Sequence, residues 1–450
     1  MGGYFLMGRC AVSTQKQKRP FALRALAAFA GTLAILFVLL LAAYALPGER
    51  VRQHVYDSAR TIQNEGLYPE YLGFKLFQMD NYTDTLMLFE AASADELPPL
   101  QAMMTNTAYN VDNFETLADD LAWYIEKDWS TGAQRTDAPT LEPFSYARYW
   151  HGYLIWLRPL LLLMPYTGVR IVQYIVLFSL LAVVLVQLRR RCGLRAAVWF
   201  AVSQLAVSVW FVPHQVQYFT CFMIAYAGCA WVLAKPRRSD VLCLGLLVLG
   251  TATAFCDLLV TPIITLGLPL TCWLLEPQQR LRGGVPQCAL AVGGSLCWGT
   301  GYALCWADKW ALAGAVTGNN VLADALHQAE VRTTADTWHG MELTWRNIFS
   351  FLYDTLNSHH LFWPALTVLA VLIALFLLSI RSKTALVRAL PLALTTCMTP
   401  AWFVLLRTHS IQHGWFTWRA LGLTVFAGLA FLYYACDLRA ARQRLQKGSI

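Results

Sequence analysis

Long apolar runs, repeated along the whole chain, are the feature of this sequence that most constrains its fold. The runs 25–46 and 168–188 each reach the roughly 20 residues that an α-helix, rising about 1.5 Å per residue, needs to cross about 30 Å of hydrocarbon. Of the 450 residues, 57% are hydrophobic and 14% are charged, whereas soluble domains carry roughly a quarter charged residues. The sequence therefore predicts an all-α polytopic membrane protein that has the lipid bilayer as a partner.

The charges separate along the chain, and this separation predicts which side of the membrane each loop occupies. Residues 47–147 contain 17 Asp and Glu but only 6 Lys and Arg, although the whole chain has a net charge of +8. Basic residues in short loops mark the cytosolic side, so the acidic segment is predicted to face outward. The basic balance thus indicates topology, and we expect no nucleic-acid partner.

Apolar runs and basic loops together predict about ten transmembrane helices in the plasma (inner) membrane, with both termini cytosolic. We interpret the first run as a retained signal anchor, because it is longer than the roughly 7 to 15 residues of a signal-peptide core. The short aromatic stretch 149–165 is predicted to lie at the membrane interface instead of crossing.

The predicted organisation has seven parts. They are a cytosolic basic N-terminus (1–21), a first transmembrane helix (22–46), an acidic extracytosolic loop with interfacial helices (47–167), a six-helix transmembrane block (168–306), a second extracytosolic loop (307–360), a three-helix transmembrane block (361–437) and a cytosolic basic tail (438–450). The spans inside the two blocks are predicted near 168–188, 196–212, 215–234, 241–256, 258–275, 286–306, 361–380, 389–406 and 420–437.

Two aspartates carry the most informative polar motif, in the stretch that begins at Gln78. Asp80 and Asp84 are spaced i, i+4 and share one face of a helix, so crowding is expected to raise one of the two carboxyl pKa values. Carboxylates positioned in this way serve as a general base or as ligands of a divalent metal ion. The alternative is a solvated, capped helix start, which the residues by themselves favour because paired acids are common in acidic loops.

The segment from Tyr146 to Arg158 interleaves basic and aromatic side chains at a predicted membrane surface. Arg148, His151 and Arg158 have the chemistry to grip a lipid phosphate while the rings hold a headgroup or a sugar. The alternative is an aromatic belt with snorkelling cations. The sequence leaves both interpretations open.

A second cationic segment, from Arg407 to Arg419, lies between two predicted spans. Two histidines, His409 and His413, and the arginines at its two ends occupy the level at which an anionic headgroup would sit. We favour a binding role over an ordinary tight turn, because such a turn requires Gly, Asn or Pro and not several cations.

Other polar residues carry weaker signals. Asp308 and Lys309 lie between Trp306 and Trp310, and we interpret them as exposed charges beside an interfacial Trp pair. Asp257 lies at a predicted outer helix turn. The second outer loop adds the lesser candidates His327, Glu330, Arg332, His339 and Glu342.

Together these features resemble the GT-C class of polytopic glycosyltransferases, and more closely a group of bacterial membrane proteins of unassigned function that look like that class. The resemblance rests on the cytosolic N-terminus, the large first outer loop with carboxylates near the membrane, and the aromatic and cationic segments. It is most specific at 80–84, 148–158, 301–310 and 409–419. In that class a first-loop carboxylate is the catalytic base or a metal ligand, and basic residues hold the phosphate of a polyprenyl-linked donor.

The resemblance implies roles for individual residues. Asp80 or Asp84 would activate the acceptor hydroxyl or hold a divalent metal ion. Asp57 is a third catalytic candidate, because the class often places its acidic motif near the end of the first helix. The residues implied in binding the donor phosphate are Arg419, His409, His413, Arg158, Arg148, His151 and Lys309.

The expected function is transfer of a sugar from a polyprenyl-phosphate-linked donor to a glycan, lipid or protein acceptor of the cell envelope, at the outer membrane surface. The alternatives are a transporter or flippase of lipid-linked glycans, and a non-catalytic envelope assembly protein. A cavity capped by the first outer loop favours the enzyme, whereas a polar channel through the membrane favours the transporter.

Overall fold

The computed structural model describes residues 20–109, 143–334, 337–338, 341–358 and 360–437. Four predicted features lie wholly or partly outside these ranges: the basic N-terminus, the middle of the acidic loop, His339 and the basic tail. The described residues form an all-α protein, as predicted, with two very short antiparallel strand pairs.

The α-helices of the described residues are numbered in chain order. They are α1 (Phe21–Tyr44), α2 (Glu49–Glu65), α3 (Asn81–Ser93), α4 (Pro99–Thr105), α5 (Leu154–Leu161), α6 (Tyr166–Cys192), α7 (Leu194–Ala206), α8 (Val216–Ala234), α9 (Ser239–Cys256), α10 (Ile263–Leu274), α11 (Pro277–Arg282), α12 (Val285–Thr317), α13 (Val321–Thr334), α14 (Ser350–Ser358), α15 (Phe362–Ser379), α16 (Lys383–Leu405), α17 (Arg407–Gln412), α18 (Gly414–Thr417) and α19 (Leu421–Ala435). The paired strands are β1 (Thr107–Tyr109) with β2 (Pro143–Ser145), and β3 (Thr337–Trp338) with β4 (Met341–Glu342).

Within the described ranges, eight helices are long and apolar enough to cross a membrane. Seven of them are α1, α6, α8, α9, α12, α15 and α16, and the eighth runs through α18 and α19. Only 6% of the apolar windows of α1 and of α15 is buried inside the protein. Apolar surface of this extent is stable only against lipid or another apolar surface, so the prediction of a multi-pass membrane protein is confirmed.

Two further predicted spans, near 196–212 and 258–275, correspond to the shorter apolar helices α7 and α10. With 13 and 12 residues, each covers roughly 20 Å at 1.5 Å per residue. A 3-10 turn, Val209–His214, continues the chain after α7. Helix α5 has eight residues, too few to cross a membrane, as expected for the stretch 149–165.

Contacts of the loop between α8 and α9 define one end of the helical bundle. Arg24, at the start of α1, donates to Asp240, at the start of α9, over 2.8 Å. Trp273, near the end of α10, donates from its indole nitrogen to the Arg237 carbonyl oxygen over 3.2 Å. The start of α1, the start of α9 and the end of α10 therefore lie together, and the polar segments that follow α1 and α9 lie at the opposite end.

The bundle packs most closely where glycines remove side chains. A Cβ atom on Gly250 of α9 would come within 2.0 Å of the Trp298 carbonyl oxygen, and one on Gly301 of α12 within 2.2 Å of the Leu247 carbonyl oxygen. Small residues permit such backbone contact between membrane helices. Helix α12 then continues to Thr317, beyond the predicted end of its span at residue 306, and its last turns contact α4.

An ion pair holds the segment between α1 and α6 on the bundle. Arg170 of α6 donates two hydrogen bonds to Glu65, the last residue of α2, over 2.5 and 2.8 Å. The guanidinium also lies 4.6 Å from the ring centre of Tyr166. A bidentate pair fixes orientation as well as distance, so α2 is held at a defined angle to α6.

Candidate functional site

A cavity of about 420 Å³ lies at the end of the bundle opposite the α8–α9 loop. We call it the site cavity. Its walls come from the chain between α2 and the end of α3, from the chain just before α5, from the start of α8, from the chain after α9, from the end of α13 and from the turn between α16 and α19. The lining residues are Tyr68, Gln78, Asp80, Tyr82, Thr83, Leu86, Met87, Glu90, Tyr146, Tyr149, Tyr153, Gln217, Leu258, Arg332, His409, Gln412, His413, Trp415 and Phe416.

Asp80 caps the start of α3 and lines the site cavity. Its carboxylate accepts hydrogen bonds from the backbone N–H of Thr83 (2.9 Å) and from the Thr83 hydroxyl (2.7 Å). The capped helix start that the sequence allowed is therefore present. Burial raises the pKa of Asp80 to about 6, against the opposing effect of the Thr83 donors. A carboxylate with this pKa is ionised near pH 7 and still basic enough to accept a proton.

Asp84 does not line the cavity, although it lies one turn after Asp80 on α3. It is fully buried and accepts hydrogen bonds from the Tyr166 hydroxyl and from the backbone N–H of Gln217. Burial raises the pKa of Asp84 to about 7, and the Asp80 charge adds to the increase. The crowding predicted from the spacing thus contributes, but burial is the larger cause. Asp84 joins α3 to the starts of α6 and α8.

Glu90, further along α3, is a second carboxylate in the cavity wall, and the side chain is almost fully buried. Its Oε2 accepts a hydrogen bond from the Tyr153 hydroxyl and lies 2.7 Å from Nδ1 of His151. Burial and the Glu90 charge raise the pKa of Tyr153 well above its ordinary value, so this hydroxyl stays protonated. Oε1 of Glu90 has no hydrogen-bond partner in the described part of the chain, and a buried acceptor of this kind is completed by a ligand or by water.

The backbone at His151 is held in an uncommon conformation that aims the side chain at Glu90. Its φ of 55° lies in the left-handed region, which non-glycine residues rarely adopt. The N–H of Gly152 donates to the Phe255 carbonyl oxygen over 2.8 Å, and a Cβ on Gly152 would come within 2.5 Å of that oxygen. Such strain persists where the surrounding structure enforces it, here behind a wall of the site cavity.

The turn near the C-terminus contributes two histidines. The rings of His409 and His413 have their centroids 4.7 Å apart. Burial, with smaller effects of His413 and Arg332, lowers the pKa of His409 well below its ordinary value, and burial and Arg332 lower that of His413 to about 4. Both rings are therefore neutral near pH 7, and the positive charge expected of them is missing. Each neutral imidazole retains one N–H donor.

Arg332, at the end of α13, supplies the positive charge instead. Among the described lining residues of the site cavity it is the only Arg or Lys. Its Nη1 donates to the Tyr149 hydroxyl over 2.7 Å. A guanidinium has five N–H donors, so this contact orients the group and leaves others for an anion in the cavity.

Aromatic rings form much of the remaining wall. Tyr68 and Trp415 meet edge to face with ring centroids 5.4 Å apart, and Phe416 lies against His413 with centroids 5.1 Å apart. Rings of this kind provide rigid apolar faces, and tyrosine adds a hydroxyl at its tip. A pocket with apolar faces and a few polar groups suits a small organic ligand.

Arg419 does not line the site cavity, although the resemblance implied a phosphate-binding role. Its guanidinium lies 4.5 Å from the ring centre of Tyr218 and 5.4 Å from that of Trp418. It donates to the Leu76 carbonyl oxygen over 3.3 Å and is almost fully buried. Arg419 therefore joins the start of α19 to the chain between α2 and α3.

Arg158 also contacts backbone and not the cavity. It donates to the carbonyl oxygens of Tyr44 (3.1 Å) and Leu46 (3.0 Å) at the end of α1. Terminal carbonyls of a helix lack intrahelical partners, so the guanidinium satisfies groups that would otherwise be buried unpaired. Arg158 is fully buried and stabilises this helix end.

The interpretation of Lys309 as an exposed charge is wrong, because the residue is completely buried. Its ammonium donates to the Met103 carbonyl oxygen over 2.8 Å and to Oδ1 of Asn106 over 2.6 Å. Asn106 has a left-handed φ and ends α4. Lys309 of α12 thus binds the end of α4. It is buried because its aliphatic stem lies inside this helix interface.

Asp57 and Arg148 lie outside the site cavity as well. Asp57 is exposed on α2 and accepts from the Gln53 amide over 3.1 Å. Arg148 donates to Asp324 over 3.3 Å and lies 4.6 Å from the ring centre of Tyr146. Exposed polar pairs of this kind contribute little free energy. The structure therefore brings together Asp80, His409 and His413 from the residues predicted for catalysis or phosphate binding, with the lesser candidate Arg332, and leaves the other catalytic and phosphate-binding candidates outside the cavity.

Among the described residues, no cluster of three or more His, Cys, Asp and Glu side chains is arranged to hold a metal ion. Asp80 accepts from Thr83, and Asp84 is engaged by Tyr166, so the two carboxylates do not converge on one point.

Glu90 and Gln217 are cavity residues that the sequence patterns did not reveal. Glu90 is the only charged residue in the apolar stretch from Leu86 to Ala92, and an isolated charge in an apolar run is rarely buried without a partner. Gln217 stands at the start of the apolar helix α8, and its buried Oε1 has no partner in the described residues. The sequence feature that could have identified both residues is a single polar residue within an apolar run.

Comparisons of the chain with protein-family models, with curated proteins and with solved structures found no match. Function is therefore inferred from the chemistry of the site.

Proposed function

We propose that the protein is a membrane glycosyltransferase of the GT-C type, which transfers a sugar from a polyprenyl-phosphate-linked donor to a hydroxyl of a cell-envelope acceptor. One observation carries the proposal: the site cavity combines Asp80 and Glu90 of α3 with Arg332, His409 and His413 from the second half of the chain. Activation of a hydroxyl requires a base, and departure of a phosphate requires a cation and hydrogen-bond donors. The cavity contains both sets.

In the proposed reaction the acceptor oxygen attacks the anomeric carbon of the sugar, and the bond from that carbon to the donor phosphate oxygen breaks. Asp80 accepts the hydroxyl proton, because its pKa of about 6 leaves it ionised at neutral pH. The electron pair of the broken bond stays on the phosphate. Arg332 and the N–H groups of His409 and His413 stabilise that charge.

Glu90 has a binding role in this proposal. The Tyr153 hydroxyl and His151 hold its Oε2, so the orientation of the carboxylate is fixed. Oε1, which has no partner among the described residues, then accepts a hydrogen bond from a sugar hydroxyl, and the rings of Tyr68 and Trp415 provide the apolar faces of the pocket. A site that satisfies a buried acceptor in this way discriminates against ligands without the matching hydroxyl.

We also propose ten membrane crossings, with α7 and α10 as the two short spans, and a site cavity at the outer membrane surface. The basic residues at 189–191, 235, 237 and 238 belong to the opposite end of the bundle. The positive-inside rule assigns that end to the cytosol of the plasma membrane. The donor phosphate would then sit at headgroup level while its lipid tail remains in the bilayer.

A transporter or flippase of lipid-linked glycans is supported less well. It requires polar groups along a path through the membrane. Arg170 and Lys309, two buried ionisable residues within spans, are held by Glu65 and by the end of α4, respectively. The described lining residues of the site cavity all belong to one end of the bundle, which favours an enzyme.

Mass spectrometry of lipid-linked sugars and envelope glycans tests the proposal. It compares cells that lack the gene with the same cells complemented by the wild type, by Asp80→Asn or by Glu49→Gln. Glu49 is an exposed acid in the first turn of α2 and serves as the matched control. We expect the wild type and the control to consume a lipid-linked sugar that accumulates with Asp80→Asn. Loss of a general base reduces a rate by about 100- to 10,000-fold.

Two outcomes would count against the proposal. Identical lipid-linked sugars and glycans with and without the gene would eliminate the glycosyltransferase. Full transfer by Asp80→Asn, at normal protein levels, would eliminate Asp80 as the base and leave only the transferase assignment.

A further inference from the structure

Two cavities with arginine-rich walls lie at the end of the bundle opposite the site cavity. One, of about 310 Å³, lies between α11 and the start of α16, and the other, of about 510 Å³, lies beside the start of α7. Their walls share Arg280, Arg381 and Tyr434. Arg388 lines the first cavity and Arg195 the second. We call the two cavities together the arginine groove.

The walls of the arginine groove have one sign of charge. Its described lining residues include no Asp or Glu. Four guanidinium groups on one concave surface create a strong positive potential, which attracts an anion. Guanidinium forks match the oxygen geometry of phosphate and carboxylate groups better than an ammonium does.

Aromatic contacts hold two of these arginines in position. The Arg280 guanidinium lies 5.0 Å from the ring centre of Tyr434, and its Nη1 donates to the Tyr434 hydroxyl over 2.5 Å. Its Nε is buried and has no partner among the described residues. Arg195 lies 5.1 Å from the ring centre of Tyr433. Arginines that are oriented before binding lose less conformational freedom when an anion arrives.

The start of α16 adds backbone donors to the same wall. Ser382 caps this helix by accepting the N–H of Ala385 over 3.1 Å, and Ser382, Thr384 and Ala385 line the first cavity. The first N–H groups of a helix lack intrahelical partners and carry a partial positive charge. These N–H groups supplement the arginines as hydrogen-bond donors to a bound anion.

Apolar surface continues from the groove along the bundle. Leu274 and Leu392 line the first cavity, and the α16 residues Val387 and Leu390 are 47% and 41% exposed. Exposed apolar side chains on a membrane-crossing helix face lipid chains. The ligand that fits both features has an anionic head and apolar tails.

We propose that the arginine groove binds the phosphate of an anionic phospholipid, with the acyl chains along α16. Free inorganic phosphate offers the same oxygen atoms but leaves the apolar surface beside the groove uncovered. The inference is independent of the proposed transferase activity, because α16 has 23 residues and spans roughly 35 Å, at 1.5 Å per residue, between the groove and the turn that holds His409.

Native mass spectrometry of the purified full-length chain tests this proposal, with phosphatidylglycerol and phosphatidylcholine of equal chain length added in turn. The groove variant carries Arg280→Gln, Arg381→Gln and Arg388→Gln. The control variant carries Arg189→Gln, Arg190→Gln and Lys235→Gln, which removes the same charge from exposed positions at the same end. A double variant, Arg381→Gln with Arg388→Gln, keeps the contact between Arg280 and Tyr434.

We expect the wild type and the control variant to prefer phosphatidylglycerol to phosphatidylcholine. The groove variant should lose about a hundredfold in apparent affinity for phosphatidylglycerol, because each basic residue near an anionic surface contributes roughly fivefold. The double variant should show a smaller loss in the same direction. Equal binding of the two lipids by the wild type, or equal losses in groove and control variants, would overturn the proposal. Displacement of the bound lipid by inorganic phosphate would overturn the lipid assignment in favour of the free anion.

Discussion

The two ends of the helical bundle are both polar, but their polar groups differ in kind. The site cavity combines the carboxylates Asp80 and Glu90 with Arg332 and neutral histidines, whereas the described walls of the arginine groove contain no acid. In a cavity with charges of both signs, a carboxylate can accept a proton while a cation stabilises a leaving anion. A wall of one sign can only attract and hold an anion.

A second difference lies within the end that contains the site cavity. Some buried cations there, such as Arg158 and Lys309, have fixed backbone partners, whereas Arg332 faces the cavity. Cations at the same end therefore divide into those that complete the fold and those that are available to a ligand. Burial and charge alone do not distinguish the two groups, but hydrogen-bond partners do.

After Asp80→Asn, the largest effect is expected for Arg332→Gln, which removes the only described Arg or Lys of the site cavity. Sugar transfer in proteoliposomes should fall by about 100- to 1000-fold, as when one donor to a developing oxyanion is removed. Arg346, an exposed arginine between α13 and α14, provides the control Arg346→Gln, which should stay within about twofold of wild type. Equal activity of both variants would remove Arg332 from the mechanism.

Lys309→Met should reduce stability and leave the chemistry intact. The substitution leaves the Met103 carbonyl and Asn106 without their donor, and unsatisfied buried groups cost about 1–3 kcal/mol. The thermal midpoint in detergent should fall, while the rate per folded molecule stays close to wild type. Lys75→Met, at an exposed position, should change neither. A stable Lys309→Met protein with no activity would place Lys309 with the cavity residues.

Acid pH should slow transfer because Asp80 must be ionised to accept a proton. Burial raises its pKa to about 6, so the base is available above that pH and is protonated below it. The rate is expected to fall about tenfold between pH 6.5 and pH 5 and to level off above pH 7. The residual activity of Asp80→Asn should lack this dependence. A profile that is flat between pH 5 and pH 7 would contradict the assignment.

The smallest effect is expected for the groove variant with Arg280, Arg381 and Arg388 replaced by glutamine. Its transfer rate should stay within about twofold of wild type, because surface substitutions remote from a site change free energies by roughly 0.5 kcal/mol or less. The rate is measured in proteoliposomes of one lipid composition. A loss comparable to that of Arg332→Gln would show that the two ends of the bundle are functionally coupled.

Part of the candidate site could be predicted from sequence. Asp80 and the two histidines of the late turn were recognisable because carboxylates and cations cluster visibly in short polar segments. Their charge state was not predictable, since the histidines are neutral only through burial and the nearby Arg332. Glu90 was not recognisable, because it is one acid in an apolar helix. It becomes a candidate because the fold places its carboxylate against His151 and Tyr153.

The sequence by itself determined that this protein is helical and resides in a membrane, because helix length and hydrophobicity are local properties that a bilayer reads directly. It also set the separation of acidic and basic segments. Only the tertiary structure decided which charged groups meet a cavity and which complete helix ends, as Asp80 and Lys309 illustrate. The physical reason is that burial, hydrogen-bond partners and neighbouring charges are set by residues far apart in the chain, and these control both the pKa of a group and its access to a ligand.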